Sequence, residues 1–261
     1  MRLPYFQVDA FTSRVFGGNP AGVCLLDAWL PESTLKAIAA ENNLSETAFV
    51  VGRDGKYDLR WFTPTVEVDL CGHATLATAF VVFTELGFNG ARISFQTRIG
   101  ELGATRDDDR IVLDFPAWPA QRCAEVPALL AEALGWLPRE LYKNRDFLAV
   151  FSSEEEILSL RPDPGLLTRL DCLGVICTAP GTDSDFVSRF FAPGAGIVED
   201  PVTGSAHSTL IPYWSARLGK PQLFARQLSQ RGGELFCVDR GDRVGIGGRA
   251  ALYSRAQLEI P

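Results

Sequence analysis

The chain writes one passage twice. Val66 to Thr75 reads VEVDLCGHAT, and Val198 to His207 reads VEDPVTGSAH. At an offset of 132 residues Val66 pairs with Val198, Glu67 with Glu199, Gly72 with Gly204, Ala74 with Ala206, Leu86 with Leu218 and Gly87 with Gly219. Upstream, RWFTP (Arg60 to Pro64) matches RFFAP (Arg189 to Pro193) once a three-residue insertion in the second copy is allowed. A repeat of this length points to one structural unit used twice, and it has to be settled before any choice of fold.

Each copy reads as a strand (59–62 and 187–191), a proline-containing loop, a small-residue helix start at Cys71-Gly72 or Thr203-Gly204, and a helix closed by Gly87 or Gly219. The first helix is apolar almost all the way round, through Leu76, Ala77, Ala79, Phe80, Val81, Val82 and Phe83. Such a helix has to be surrounded. Short strands are what the rest of the chain supplies, among them YFQVDAF, GVCLL, ETAFVV and IVLDFP in the first half and FLAVF, LGVICTA, GELFCVD and RVGIGGRA in the second. The expected fold class is α+β: two pseudo-symmetric β-barrel-like domains, each wrapped around a central apolar helix. Residues 1–117 form one half and 118–261 the other, joined near Asp114–Gln121, with the last strand able to return to the first half. Pro212 falls inside the second helix, where a kink or a shifted boundary is expected.

Hydrophobic residues make up 46% of 261, enough for a large core, and the net charge of −7 comes from acids scattered along the chain. No basic face is offered, so nucleic acid is not an expected partner. No apolar run approaches bilayer length, and MRLPYFQVDAF lacks a signal-peptide core, so the expectation is a cytoplasmic protein without a membrane partner. The six cysteines are dispersed without a C-x-x-C and read mostly as buried free thiols. His73 and His207 are the only histidines, and neither has partners at finger or metalloprotease spacing, so no metal is expected.

A helix start exposes unpaired N–H groups and the positive end of the dipole, and so can hold a carboxylate without a charged side chain. Gly72 and Gly204 would keep those groups accessible, although either glycine alone could equally serve a tight turn. The polar letters diverge between the copies: Val68 becomes Asp200, Cys71 becomes Thr203, and His73 becomes Ser205. That divergence suits a site acting on one face of a substrate. Glu46, in NNLSETAFVV, shares a strand face with Ala48 and Val50 if alternation is regular. Partial burial would suit it to take and return a proton; alternatively it caps the Asn42-Asn43 pair or faces solvent. Ser205 and His207 do not make a hydrolase pair, because residues two apart on a helix point away from each other.

FGGNPAGV (Phe16 to Val23), NNLSETAF, LCGHATLA (Leu70 to Ala77), LDFP (Leu113 to Pro116) and EDPVTGSAH together resemble the PhzF family of phenazine-biosynthesis-like isomerases and, more distantly, the diaminopimelate epimerase fold. The resemblance spans essentially the whole chain. It implies a cofactor-free homodimeric enzyme with its site between the halves, acting on a small carboxylate-bearing metabolite; the founding activity is isomerisation of a dihydro-hydroxyanthranilate. It also implies roles: Glu46 as proton shuttle, His73 and Asp200 as acid/base-assisting residues, and Asn19, Gly72, His73, Gly204 and Ser205 as substrate-binding residues. Epimerases of the fold use two opposed cysteines; here Cys71 keeps one and Thr203 replaces the other, which disfavours two-thiol racemisation. A binding protein that lost its activity, or an epimerase of another amino or hydroxy acid, are the competing readings.

Overall fold

The structure, a computed structural model, describes residues 1–260 and divides into two compact units, 1–115 with 245–260 and 116–244. The first unit begins with β1 (Arg2–Ala10), which pairs antiparallel with β2 (Asn19–Leu26) and, on its other edge, with the C-terminal strand β18 (Ala250–Glu259). The chain then forms α1 (Glu32–Asn42) and β3 (Glu46–Arg53), which lies parallel to β2. Next come β4 (Lys56–Phe62), antiparallel to β3, the short β5 (Glu67–Val68), α2 (Gly72–Thr84), β6 (Arg92–Thr97), parallel to β4, then β7 (Gly100–Asp107) and β8 (Arg110–Pro116). Residues 245–260 thus belong with the first unit, because β18 completes an edge of β1 that would otherwise leave a row of backbone groups unpaired.

In the second unit the chain runs through β9 (Gln121–Arg122) and α3 (Ala128–Leu134) to β10 (Glu140–Lys143), which is antiparallel to β11 (Phe147–Val150). After α4 (Glu154–Ser159) and α5 (Pro164–Leu167), β12 (Val175–Pro180) lies parallel to β11, and β13 (Phe186–Ala192) is antiparallel to β12. Then follow the short β14 (Ile197–Asp200), α6 (Gly204–Leu218), β15 (Gln222–Gln227), parallel to β13, β16 (Gly233–Asp239) and β17 (Arg243–Gly248). The succession of antiparallel and parallel partners is the one found in the first unit.

All of α2 is buried except Phe80 and Thr84, which is what its composition requires. It packs on β1, β2, β3 and β18. Its threonines do not strand polar atoms in the core, because Thr75 and Thr78 donate back to the carbonyls of Cys71 and Ala74 at 2.5 and 2.8 Å. Leu35 and Ile38 of α1 pack with Phe49 and Phe62. Residues of β3 are therefore covered on both faces, and burial is continuous from Glu46 to Val50 where alternation would have left every second residue exposed.

The helix α6 does not end or divide at Pro212. A proline there leaves the carbonyl of Ser208 without its helical donor. That carbonyl instead accepts the backbone N–H of Trp118 at 2.8 Å. The helix ends at Gly219, whose φ of 67° and bond to Ser215 O at 2.9 Å form the left-handed cap read from the sequence. At α2 the cap comes earlier: the helix stops at Thr84 and Gly87, φ 66°, lies beyond it. No helix among the described residues is long and apolar enough to cross a membrane.

Candidate active site

The letters preserved between the copies build the same brace in each unit. Arg60 grips Glu67 with two bonds of 2.7 Å and lies 5.1 Å from the centre of the Phe62 ring. Arg189 grips Glu199 at 2.7 and 2.9 Å and lies 4.8 Å from the Phe191 ring centre. Each fork ties the strand before the proline loop to the segment leading into the central helix, so the helix start is held from a fixed direction. Sequence reasoning aligned these residues without giving them a role.

In the first unit, Glu46 opens β3 on the face toward α2 and is 8% exposed. Its Oε2 lies 3.0 Å from Nε2 of His73, which is 3% exposed in the first turn of α2. The contact has the distance of an ion pair, although Oε2 is out of line for a hydrogen bond. Asn19, fully buried at the start of β2, sets its amide nitrogen 3.1 Å from Nδ1 of the same ring. An amide offers donors on one edge and an acceptor on the other, so Asn19 can meet either protonation state of Nδ1. The sequence placed Asn19 among substrate-binding residues; here its side chain meets the imidazole.

Burial works against charge on His73, but the Glu46 carboxylate beside it favours the charged form, and its pKa is held above the usual imidazole value. Cys71 lies with Sγ 3.6 Å from Nδ1, and burial, with the Glu46 carboxylate nearby, pushes its thiol up to about 11. Without a metal it is a thiol at neutral pH, not a ready nucleophile. Ligand atoms of Glu46, Cys71 and His73 nevertheless lie within 4.8 Å of one another, the donor types of a zinc site. Local spacing could not show this, since the carboxylate arrives from another strand.

Gly18 has φ 59°, and a Cβ on it would stand 2.0 Å from the carbonyl oxygen of Ala10. The turn that delivers Asn19 therefore requires glycine. Gly18→Ala is expected to destabilise the fold by at least about 1 kcal/mol; denaturant unfolding checks this.

In the second unit, Asp200 is buried and its Oδ2 accepts the Thr203 hydroxyl at 2.5 Å. Buried Gln227 accepts the Thr203 backbone N–H at 2.9 Å and donates to the Asp200 carbonyl at 2.8 Å. Thr203 is thus committed to fixing Asp200, and no thiol-like acid stands there. Gly204 and Ser205 form the first turn of α6, and the Ser205 hydroxyl accepts from Arg145 Nη2 at 3.3 Å. Neither central helix has its first turn capped by its own N-cap side chain. Gln227 and Arg145 were not singled out from the sequence, because each lies far along the chain from the helix start it serves.

His207 donates from Nδ1 to the Thr203 carbonyl at 2.8 Å, and burial lowers its pKa to about 4. Its folded pKa lies below the ordinary 6.5, so its contribution is fully present above 6.5 and lost as pH falls toward 4. From this group alone, stability should fall by about 3 kcal/mol over that window. Denaturant titrations of wild type and His207→Leu at pH 7, 5.5 and 4 should show a shallower slope in the variant. Of the cysteines, Cys24, Cys71, Cys177 and Cys237 are buried, Cys123 and Cys172 partly so, and all six are free.

The phenazine biosynthesis-like family matches residues 8–256. The chain belongs to that family. It is 55% identical over 260 residues to an uncharacterized isomerase of Pseudomonas aeruginosa, covering all of both chains. It is also similar to the crystal structure of a PhzF-family phenazine biosynthesis protein from Enterococcus faecalis, with TM-score 0.96, 47% identity and full coverage of both chains. A hydroxyproline epimerase from Agrobacterium vitis, at TM-score 0.63, 13% identity and coverage of 98% and 92%, shares the fold alone. The fold class is therefore α+β, as expected from the repeat.

Proposed function

We propose that this chain is a cofactor-independent isomerase in which Glu46 moves a proton between two carbons of a small carboxylate-bearing substrate. The observation that carries the reading is the Glu46–His73 contact of 3.0 Å between two buried ionisable groups in a family whose relatives include a protein named as an isomerase. Glu46 takes a proton from a carbon made acidic by conjugation, and the electron pair enters the conjugated system. As Glu46 becomes neutral, the positive charge of His73 loses its counter-charge and stabilises the negative charge growing on the substrate. Glu46 then returns the proton to a second carbon. Asn19 keeps the imidazole oriented throughout.

The helix starts at Gly72-His73 and Gly204-Ser205 are assigned to the substrate's carboxylate, and Asp200 to its polar substituents, on the strength of the duplicated sequence. We read the two units as products of one duplication, the first specialised for proton transfer and the second for holding the substrate. Incubation with a dihydro-hydroxyanthranilate in D2O, followed by proton NMR, tests the reading. Wild type is expected to incorporate deuterium or isomerise the compound. Binding without exchange by wild type, across this compound and other cyclic amino and hydroxy acids, would favour a binding protein instead.

A further inference from the structure

The connection from β1 to β2 in the first unit and that from β10 to β11 in the second do a corresponding job. In the first, the connection from β1 to β2 ends at Asn19, whose amide meets His73, the second residue of α2. In the second, the connection from β10 to β11 carries Arg145, whose Nη2 donates to Ser205, the second residue of α6. His73 and Ser205 are partners in the repeat. One unit thus sets a neutral amide against an imidazole, and the other sets a guanidinium against a hydroxyl.

Arg145 is held before any ligand arrives. Its Nε and Nη2 donate to Asp146 Oδ2 at 3.2 and 2.7 Å, and its guanidinium carbon lies 5.0 Å from the centre of the Trp118 ring. Asp146 is 4% exposed, so the anchoring carboxylate is buried, while 34% of the Arg145 side chain remains open. The bonds to Asp146 and Ser205 use Nε and Nη2, which leaves the Nη1 edge of the fork for an incoming acceptor. A guanidinium fixed on one edge and open on the other is suited to bind a planar oxyanion with little loss of side-chain freedom.

We infer that Arg145 is a specificity-determining residue that, with Ser205, recognises the carboxylate of the substrate. This deepens the proposed function, and rests on it, by assigning the anionic group to a particular side chain of the second unit. Charged recognition makes the carboxylate a requirement: a substrate whose acid is replaced by an amide leaves Arg145 without its counter-charge.

The probe pair is 3-hydroxyanthranilate and its carboxamide, measured by calorimetry on the full chain. Wild type is expected to prefer the carboxylate by about 10- to 100-fold, the scale of a charge-assisted bond. Arg145→Gln should remove most of that preference, lowering the carboxylate affinity far more than the carboxamide affinity; Arg145→Lys should keep part of it, because the charge remains and the fork is lost. A preference that survives in folded Arg145→Gln overturns the inference. So does a wild type that binds neither probe or shows no preference, or a fall in both affinities together, which would mark Arg145 as a purely structural tie. Glu46-dependent deuterium exchange is measured separately, so proton shuttling can stand while this assignment falls, and the reverse.

Discussion

Glu46→Gln is expected to lower kcat by at least about 10³-fold, the range over which a positioned general base acts, while substrate affinity changes only a few-fold. The amide fills the same volume on β3 but cannot accept and return a proton. A second readout follows from the same contact. His73 keeps its raised pKa against burial with the Glu46 carboxylate as neighbour, so removing the Glu46 charge should bring that pKa down. The chain has two histidines, and they stand on opposite sides of the ordinary value, His207 at about 4 and His73 well above 6.5. An NMR titration of the two imidazoles should show the higher one falling in the variant while the lower stays in place. A variant with normal turnover, or an unmoved His73 titration, would refute the pairing of these groups as the catalytic centre.

Arg189→Ala should be the most destabilising of the brace substitutions. Arg189 bonds Glu199 through Nε and Nη2, one edge of its fork, and donates from Nη1 to the carbonyls of Ile157 and Leu160, each at 3.0 Å. Its side chain is 11% exposed and that of Glu199 25%, so truncation strands two carbonyls beneath it and a partly exposed carboxylate. A loss of about 2–3 kcal/mol is expected, below the fully buried case because Glu199 keeps some water, read as a fall in Tm of about 5–10 °C. The corresponding Arg60→Ala should cost less. Arg60 is more exposed, and Glu67 retains Arg98 at 3.2 Å as a second partner. Equal losses in the two variants would show that the braces do not differ in this way. Calorimetry of both, side by side, decides it.

The repeat by itself determined the α+β class, the two helix starts and the apolar character of α2, because duplication and hydrophobic periodicity are written along the chain. It also put Glu46, His73, Asp200 and Ser205 forward, since these are the polar letters that changed or that stand in apolar surroundings. Tertiary structure alone decided what each of them touches. Glu46 meets His73 because β3 is covered on both faces and its even side turns toward α2. Asn19 meets the imidazole because Gly18 turns the chain beside it, and Arg145 reaches Ser205 from 60 residues away. Pro212 stays inside α6 because Trp118 supplies the donor its ring removes. Each of these contacts joins residues distant in sequence, and neither propensity nor periodicity carries information about partners at that range.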